Sequence, residues 1–488
     1  MVTFDLLPPT TRGPLAYTEI AAATSQNVPT QKPLRALLVG QRRSGTVPAL
    51  TLTRVTSAVQ AQTYFGAGSQ LHEMAVGWFA NNKGTEVWAI PVADAGGSVA
   101  EIRTMTVGGS PTSAGLIALY LAGHRFAVSV AAGEATAATA ANLNAAINAD
   151  PAVPFLSTVL GSVVTLTAKN AGTLGAELDA RHSYGANESL PPGTTLVFAV
   201  TTPGTGVVSY STLALFGLMP QTQFDIITVG ANDATNLGYV TAELLDRWGP
   251  TRELEGGVFT GFAGDLSASL AQGLLLNSQF SSQMPVRGTL TPSWVIGAAL
   301  AGAAAFYLGQ DPARPLHTVP LLGVLASKVS DQWTQNEREQ LLHGGMATHK
   351  VAADGTVQVH RCITNYRLSP GGAADDTYLD VNTWATLSLL RYSWRTNLLN
   401  KYPRHKLADD GTAFAEGQPV MTPERGRAEA MAWFIAMEAI GLVEGRDQFK
   451  ADLRVERNGS DRNRMDFLLP INLVNQLQVI GTRIEFTL

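Results

Sequence analysis

Apolar and polar residues alternate most regularly near the carboxyl end of the chain. Every second side chain from Phe449 to Val455 is apolar, which predicts a strand with one buried face over residues 447–456. A turn-rich stretch, 457–461, follows, and the alternation restarts over 465–469. Together these segments predict a β-hairpin whose loop is longer than the two-residue minimum.

The last eleven residues, 478–488, repeat this alternation. Ile480, Ile484, Phe486 and Leu488 fall on one face, together with Thr482, while charged and polar residues fall on the other. Chain termini are usually polar and frayed. We therefore expect this strand to pair with another strand, and where its own chain has none free, the partner is another molecule.

Strand and helix patterns alternate through much of the chain. Strands are predicted at 34–39, 86–92, 225–229, 257–260, 348–352 and 357–363, and helices at 69–81, 233–248, from 267 onward, at 292–308 and at 336–342. Asp233 is the expected N-cap of its helix. This alternation predicts a largely parallel sheet covered by helices, and hence an α/β core.

The alternation is interrupted between residues 96 and 206. None of the tryptophans falls there, charged residues are sparse, and Ala, Thr, Val and Gly dominate. Strands are predicted at 116–121, 126–130, 163–167 and 195–200, with one helix at 136–148 that Pro151 ends. We interpret this segment as an inserted α+β, β-rich domain.

Two helices dominate the part of the chain that begins near residue 365. The first, 379–399, is aromatic, and the second, 423–441, starts with Thr422 as N-cap and Pro423 at the first helical position. A stripe of small residues follows the second helix and would let another backbone approach closely: Ala428, Ala432, Ala436 and Ala439. With the predicted strands, this region reads as an α+β C-terminal domain.

The predicted organisation has four parts. They are an extended, proline-rich arm (1–32), a discontinuous α/β core (33–95 and 207–364), the inserted domain (96–206) and the C-terminal domain (365–488). Within the arm, residues 12–20 fit either one short strand or part of a disordered tail.

Composition narrows the class of protein. Charged residues make up 15 % of the chain, against a usual share of about 25 %, so we expect other subunits to cover much of the surface. The net charge of −5 gives no basic footprint for nucleic acid. The most apolar run, 294–308, is too short to span a bilayer and predicts a buried helix. The N-terminus lacks a signal-peptide pattern, and Cys362, the single cysteine, is expected to be a core residue.

Recognisable catalytic and metal-binding motifs are missing. Residues 40–46 have the glycine spacing of a phosphate loop but lack its lysine, and no Gly-x-Ser-x-Gly sequence occurs. His72 and Glu73 lack the second histidine of a helical zinc pair. The acidic pairs 375–376 and 409–410 fit solvated turns, with metal ligation as the alternative. We assign no catalytic, cofactor-binding or metal-binding residue.

Several segments, in this order, resemble the tail sheath proteins of contractile phages, in particular those of the Mu-like type. They are 12–19 (RGPLAYTE), 65–72 (FGAGSQLH), 87–92 (VWAIPV), 115–123 (GLIALYLAG) and 479–488 (VIGTRIEFTL). The resemblance implies a subtilisin-like fold for the core. Because the chain lacks the Gly-Thr-Ser-x-Ala motif of subtilisins, that fold carries no peptidase implication.

The resemblance also implies a structural function. Such subunits form six-membered rings that stack helically around a tail tube, and contraction of the stack drives the tube through the host envelope. The implied partners are further copies of the chain, the tube protein, and baseplate and tail-terminator proteins, with no nucleic acid and no membrane insertion. The implied location is the tail of the virion, after assembly in the host cytoplasm, and no cofactor is implied.

Two sets of residues are candidates for contacts in such an assembly. Strands exchanged between subunits would use Leu15, Tyr17, Ile20, Ile480, Ile484, Phe486 and Leu488. The helix over 423–441 would lie near the tube and present Arg425, Arg427 and Glu429, although these residues also fit solvated helix-end charges. The insertion is expected outside the sheath and dispensable for assembly.

Two other functions remain as alternatives. The sheath of a bacteriocin or of a secretion-type injection system would share the core, although secretion-system sheaths divide the work between two chains and bacteriocin sheaths resemble the core without so large an insertion. A hydrolase is the alternative from a different class of protein. Hollow tubes in electron micrographs of the purified protein would separate a sheath from an enzyme.

Overall fold

The computed structural model describes residues 28–415 and 417–487. The predicted arm residues Leu15, Tyr17 and Ile20, and Leu488 at the other end, lie outside the described residues.

The first segment of the chain begins the central sheet. Its elements are β1 (Arg35–Gln41), β2 (Thr53–Val55), α1 (Ala58–Phe65), α2 (Gln70–Asn81) and β3 (Glu86–Val92). The strand predicted at 86–92 and the helix predicted at 69–81 are confirmed. Ser69 caps α2, because its hydroxyl accepts a hydrogen bond from the backbone N–H of His72 (3.3 Å).

The insertion (residues 96–206) forms two antiparallel sheets and one helix. Its elements are β4 (Ile102–Gly108), β5 (Gly115–Leu121), β6 (His124–Val130), α3 (Thr136–Ala149), β7 (Phe155–Leu160), β8 (Val163–Ala168), a 3₁₀ turn (Thr173–Glu177), β9 (Ala180–His182) and β10 (Thr195–Thr202). One sheet has the order β10-β4-β8-β7 and the other β6-β5-β9. The sequence prediction missed β4, β7, β9 and the 3₁₀ turn, and found the other four strands and α3.

One face of the four-stranded sheet in the insertion carries no charge. The opposite face packs Met105, Leu166 and Phe155 toward α3. The strand register places these outward residues side by side: Ile102, Thr104, Thr106, Leu156, Thr158, Leu160, Val163, Thr165, Thr167, Val197 and Ala199. Threonine and aliphatic side chains are typical of a β-sheet surface.

After the insertion the chain returns to the central sheet. The elements are β11 (Ile226–Val229), α4 (Ala234–Trp248), β12 (Gly257–Ala263), α5 (Leu266–Leu274), β13 (Ser281–Val286), α6 (Ser293–Gln310), α7 (Gln335–His343), β14 (Thr348–Val351) and β15 (Val357–Arg361). The predicted strands and helices are present, and Asp233 caps α4 as expected. The prediction missed β13, which is buried along its whole length although it begins with three polar residues.

The central sheet has the strand order β13-β12-β11-β1-β3-β2, and all pairs except β2 with β3 are parallel. The prediction of a largely parallel sheet is thus confirmed. Helices α2 and α6 pack closely on each other, and glycine makes this possible. A Cβ at Gly77 would lie 2.8 Å from the carbonyl oxygen of Val295, and one at Gly302 would lie 2.9 Å from that of Trp78.

The C-terminal region (residues 365–487) is built around two helices. Its elements are α8 (Val381–Lys401), β16 (Lys406–Leu407), β17 (Val420–Met421), α9 (Pro423–Ala439), β18 (Val443–Glu444), α10 (Arg446–Asp452), β19 (Arg454–Arg457), β20 (Met465–Leu468) and β21 (Asn472–Leu473). Both predicted helices are confirmed, as is the capping of α9 by Thr422. The hairpin is confirmed as β19 paired with β20.

The strand predicted at the start of this hairpin is wrong over residues 446–452, which form helix α10. Phe449 and Leu453 are four residues apart, so they share a helical face as well as a strand face. Phe449 is fully buried and its ring stacks on Phe434, with the centroids 4.1 Å apart. Gly445, with φ of 82°, turns the chain into this helix.

The two largest hydrophobic clusters of the described residues organise the molecule. The larger runs without a break through the central sheet, its helices and the insertion. The smaller, called the C-terminal cluster below, joins α8, α9 and α10 and consists of Leu389, Leu390, Trp433, Phe434, Met437, Leu442, Val443 and Phe449. The C-terminal region thus has a core of its own, whereas the insertion shares that of the sheet.

Candidate inter-subunit surfaces

The segment 474–487 contains some of the most exposed apolar side chains among the described residues. The N–H of Val474 still donates to the carbonyl of Leu442 (3.2 Å), but the residues after it join no helix or strand. Ile480, Ile484 and Phe486 are 77 %, 84 % and 80 % exposed. An extended segment with bare apolar side chains and unpaired backbone groups is a template for pairing with another strand.

Hairpin β19–β20 offers the complementary feature, a sheet with room for more strands. It has two strands, and in the described part of the chain neither outer edge pairs with a third. The hairpin packs on α9 at Gly426, where a Cβ would lie 2.9 Å from Val455 and 3.2 Å from Met465. Because an isolated two-stranded sheet is marginally stable, added strands would stabilise it.

Of the three predicted tube-facing residues, the structure leaves two on the surface. Arg425 donates to the carbonyl of Val420 (2.6 Å). Arg427 forms an ion pair with Asp410 (3.1 Å) in which both side chains are substantially exposed. These two guanidinium groups lie at the N-terminal end of α9, within reach of a partner.

Glu429 is a correction to the predicted set. Its side chain is 8 % exposed, and its carboxylate accepts hydrogen bonds from Asn397 (2.6 Å), Lys401 (2.6 Å) and Tyr402 (2.7 Å). The carboxylate thus accepts hydrogen bonds from two residues of α8 and from the residue that ends this helix. Glu429 joins the two helices and is not available for an outside contact, because these donors on α8 and at its end cover its carboxylate.

Of the stripe of small residues on α9, Ala436 packs against the C-terminal cluster and the other three face outward. Ala428, Ala432 and Ala439 are exposed, and Ile435 between them is 41 % exposed. The opposite side of the helix carries the residues of the C-terminal cluster. The outward face of α9 is therefore smooth and largely apolar.

In a parallel α/β sheet, ligands usually bind beyond the carboxyl ends of the strands, at the point where the strand order reverses. Here the insertion fills that position. Gln41, at the end of β1, donates to the carbonyl of Ala171 (2.8 Å) and to Asp94 (2.7 Å). Asp94 also accepts from Asn170 (3.0 Å) and from the N–H of Ala171 (2.9 Å). We call Gln41, Asp94, Asn170 and Ala171 the junction network.

The same junction holds a buried acid. The carboxylate of Glu73 accepts from the indole N–H of Trp294 (2.9 Å), and burial raises the pKa of Glu73 to about 8. Burial lowers the pKa of the neighbouring His72 to about 4. From the insertion, Glu177 accepts the N–H of Ser293 (3.2 Å) and so caps α6, whose N-cap residue, Pro292, makes no side-chain capping bond. Glu73 and His72 are thus structural groups of a packed joint.

The other candidate groups are engaged within the chain. Asp375 accepts from Tyr366 (2.6 Å), Asp409 pairs with Arg457 (3.1 Å), and burial raises the pKa of the Cys362 thiol to about 12. No cluster of three or more potential metal ligands occurs within residues 28–415 and 417–487. The glycine-spaced stretch 40–46 ends β1 and leads to β2 without the helix of a phosphate loop.

Among the described helices, α6 alone has the length and apolar composition of a membrane span. In the folded chain, 78 % of this helix, Ser293–Gln310, is buried. The predicted buried helix is therefore confirmed.

Sequence reasoning missed the junction network and the burial of Glu429. The network joins Gln41, Asp94 and Asn170, which are separated by up to 129 positions, and uses ordinary polar residues without a spacing motif. For Glu429 a signal was available, because Glu429 lies three residues after Gly426 and four before Trp433 on the face that packs inward.

Comparisons with known proteins identify relatives that span the whole chain. The family model for the phage tail sheath C-terminal domain matches residues 373–487. The Mu-like prophage FluMu tail sheath protein of Haemophilus influenzae is 34 % identical over 489 residues, covering all of both chains.

Solved structures of similar fold are also sheath proteins. The sheath of the extracellular contractile injection system PVC, in its contracted state, matches with a TM-score of 0.50 and 10 % identity over 97 % of this chain and 98 % of that one. The sheath tail protein of Desulfitobacterium hafniense matches with a TM-score of 0.48 and 11 % identity, over 94 % and 100 % of the two chains.

The full-length similarity defines the class: this is a tail sheath protein of a contractile system. More narrowly, the chain belongs to the Mu-like phage tail sheath family. A phage tail sheath is a structural component of the virion tail. The resemblance seen in the sequence is thereby confirmed.

Proposed function

We propose that this chain polymerises as stacked six-subunit rings around a tail tube and contracts to drive the tube through a host envelope. The main support for the proposal is the exposed apolar segment 474–487. Its apolar side chains lie in water in a free subunit, whereas an assembled subunit can bury them against a neighbour. Head-to-tail contacts between unlike surfaces generate helical filaments. Terminal segments that enter neighbouring subunits make contacts of this kind.

The hairpin β19–β20 is the receiving sheet in this proposal. Its two free edges take up the C-terminal segment and the N-terminal arm of neighbouring copies by β-augmentation, in which main-chain hydrogen bonds supply affinity. Ile480, Ile484 and Phe486 from one copy, and Leu488 beyond them, then face apolar surface. Burying each such side chain contributes about 1.5–3 kcal/mol before entropic costs.

Strands shared between subunits also allow contraction without dissociation. Main-chain hydrogen bonds in the exchanged strands persist while the compact bodies swing from one packing to another. The free-energy difference between the two packings drives the movement, so the chain needs no nucleotide site and has no catalytic role. The central domain is, in this proposal, a subtilisin-like scaffold without peptidase residues.

The remaining partners follow from the same proposal. Arg425 and Arg427 at the start of α9 face the tube protein, the ends of the stack meet baseplate and tail-terminator proteins, and the insertion lies outside. Assembly takes place in the host cytoplasm. Neither nucleic acid nor a membrane contacts the chain directly.

Removal of residues 478–488 tests the proposal. The truncated chain should stay folded and soluble but form no tubes in electron micrographs. A chain with serine at Ile480, Ile484 and Phe486 should behave in the same way. Its matched control carries serine at Arg483, Glu485 and Thr487, on the opposite face, and should still form tubes.

Two results would contradict strand exchange. Unfolding of the truncated chain would assign the segment to the core of its own subunit. Tubes formed by the truncated chain would show that other contacts hold the lattice.

A further inference from the structure

Lys32 forms a buried ionic site where the N-terminal segment meets the body of the subunit. Its ammonium group donates to Asp225 (2.8 Å), Glu255 (3.1 Å) and the hydroxyl of Ser388 (2.8 Å), so all three of its protons have acceptors. The side chains of Lys32, Asp225 and Glu255 are 8 %, 4 % and 2 % exposed. Arg391 lies 3.6 Å from the other oxygen of Glu255.

The partners of Lys32 come from three different parts of the fold. Asp225 directly precedes β11 of the central sheet, and Glu255 precedes β12. Ser388 lies on α8 of the C-terminal region, one turn before Arg391. A single side chain therefore connects the N-terminal segment, the sheet and α8.

The first described residue and the strand that precedes the exposed terminal segment both lie at the C-terminal cluster. Val28, the first described residue, packs against this cluster, and so does Leu473 of β21, just before the exposed segment begins. Leu389 and Leu390, which follow Ser388 on α8, are members of the cluster. Val28 and Leu473 are thus held at the same cluster.

We propose that Lys32 and the C-terminal cluster form a common anchor through which tension passes from one exchanged terminal segment to the other. This proposal rests on the proposed strand exchange. In it, Lys32 holds the N-terminal segment in place against the central sheet and α8. The mechanical path through each subunit runs from the N-terminal segment across α8 and α9 to β21. Lys32 also ties that path to the central sheet, while the insertion stays outside it.

Substitution Lys32→Met removes the ammonium and leaves Asp225 and Glu255 buried without it, a costly arrangement. In unassembled full-length subunits, amide exchange over residues 34–36 and in the first turns of α8 should become at least about tenfold faster. Exchange in the insertion should not change. Lys32→Arg, which keeps the charge, and Lys83→Met, at an exposed lysine before β3, are the controls and should exchange like the wild type.

A second measurement tests the mechanical role. Tubes assembled from the Lys32→Met chain should break into shorter pieces than wild-type tubes under the same shear, measured as tube length in electron micrographs. The double substitution Lys32→Met with Glu255→Gln removes one buried carboxylate together with the cation. It should restore the slow amide exchange in part while leaving the tubes fragile, because the tie to Ser388 stays broken.

Unchanged amide exchange in Lys32→Met would overturn the anchor, and altered exchange with wild-type tube strength would overturn its mechanical role. Failure of the proposed function looks different. In that case the wild-type chain itself forms no tubes, or forms them without residues 478–488, whereas the exchange measurement on free subunits still reports on Lys32.

Discussion

The insertion and the segment 474–487 both expose aliphatic side chains, but they differ in their backbones. On the insertion, Leu160 and Val197 are 86 % and 60 % exposed, yet their strands are paired in a sheet. After Val474, no backbone hydrogen bond joins the terminal segment to another described residue. In the proposed strand exchange, unpaired backbone therefore distinguishes the assembling segment, whereas exposed apolar area does not.

The two regions also differ in how they are attached. The insertion shares the larger core and is held by the junction network and by the cap that Glu177 gives α6. The terminal segment is attached to the subunit through β21, a strand of two residues. One region is fixed to its own subunit, and the other is free to enter a neighbour.

Removal of the insertion should have the largest effect on subunit stability. In a chain with Ala95 joined to Val207 by a short linker, Trp294 and Glu73 are no longer covered by the insertion and become exposed to water. The free energy of unfolding should therefore fall by several kcal/mol. Tubes should still form, because the terminal segments remain. Calorimetry and electron microscopy check the two halves of this prediction, and a folded chain that never forms tubes would show that the insertion takes part in assembly.

Within the junction network, Asp94→Ala should lower the free energy of unfolding by about 2–4 kcal/mol, because three donors in a partly buried site lose their acceptor. Asp376→Ala, at an exposed turn, is the matched control and should change it by no more than about 0.5 kcal/mol. Urea unfolding measures both. Equal effects would mean that the network does not hold the insertion.

The buried acid at the junction makes stability depend on pH. The folded-state pKa of Glu73 is about 8, above its ordinary value of 4.5, so the folded chain holds the extra proton and loses stability as pH rises toward 8. Between pH 6.5 and 8 the wild type should lose about 1.5 kcal/mol more than Glu73→Gln. Urea unfolding at the two pH values checks this, and parallel losses would contradict it. His72 titrates below this window.

Charge reversal on α9 should have the smallest effect on the subunit. Arg427 and Asp410 form an exposed ion pair, so Arg425→Glu with Arg427→Glu should lower the free energy of unfolding by no more than about 1 kcal/mol. Co-sedimentation with tube protein should nevertheless decrease. Arg446→Glu, in a similar exposed pair with Glu438, is the control. Undiminished co-sedimentation of the double variant would place the tube elsewhere.

Much of the central sheet could be predicted because its strands and helices follow simple local rules. Strand β3 is a continuous apolar run, and Asp233 marks the start of α4 with a side chain suited to capping. The short segments that resemble the tail sheath family, such as 65–72 and 479–488, likewise indicated the class of protein without any knowledge of distant contacts. Local pattern and resemblance together were sufficient for these elements.

Elements that depend on distant contacts could not be predicted. Strand β13 begins with Ser281, Ser282 and Gln283. The hydroxyl of Ser282 donates to the carbonyl of Ile363 (2.7 Å) and the amide nitrogen of Gln283 donates to that of Asn232 (3.1 Å), which makes the burial of these two groups tolerable. A polar run with such partners looks like a loop in the sequence. For Glu429, the inward position could be read from its spacing to Gly426 and Trp433, but its three donors could not, since they lie on α8 and at its end.

The exposed terminal segment has a consequence for temperature. In the proposed assembly, Leu477, Val479, Ile480, Ile484 and Phe486, which are exposed in the single chain, become buried, and this removal of apolar surface from water lowers the heat capacity of the system. Such burial is weaker in the cold, because its driving force near room temperature is entropic. Assembly through this segment therefore becomes more favourable on moderate warming, and cooling favours unassembled subunits.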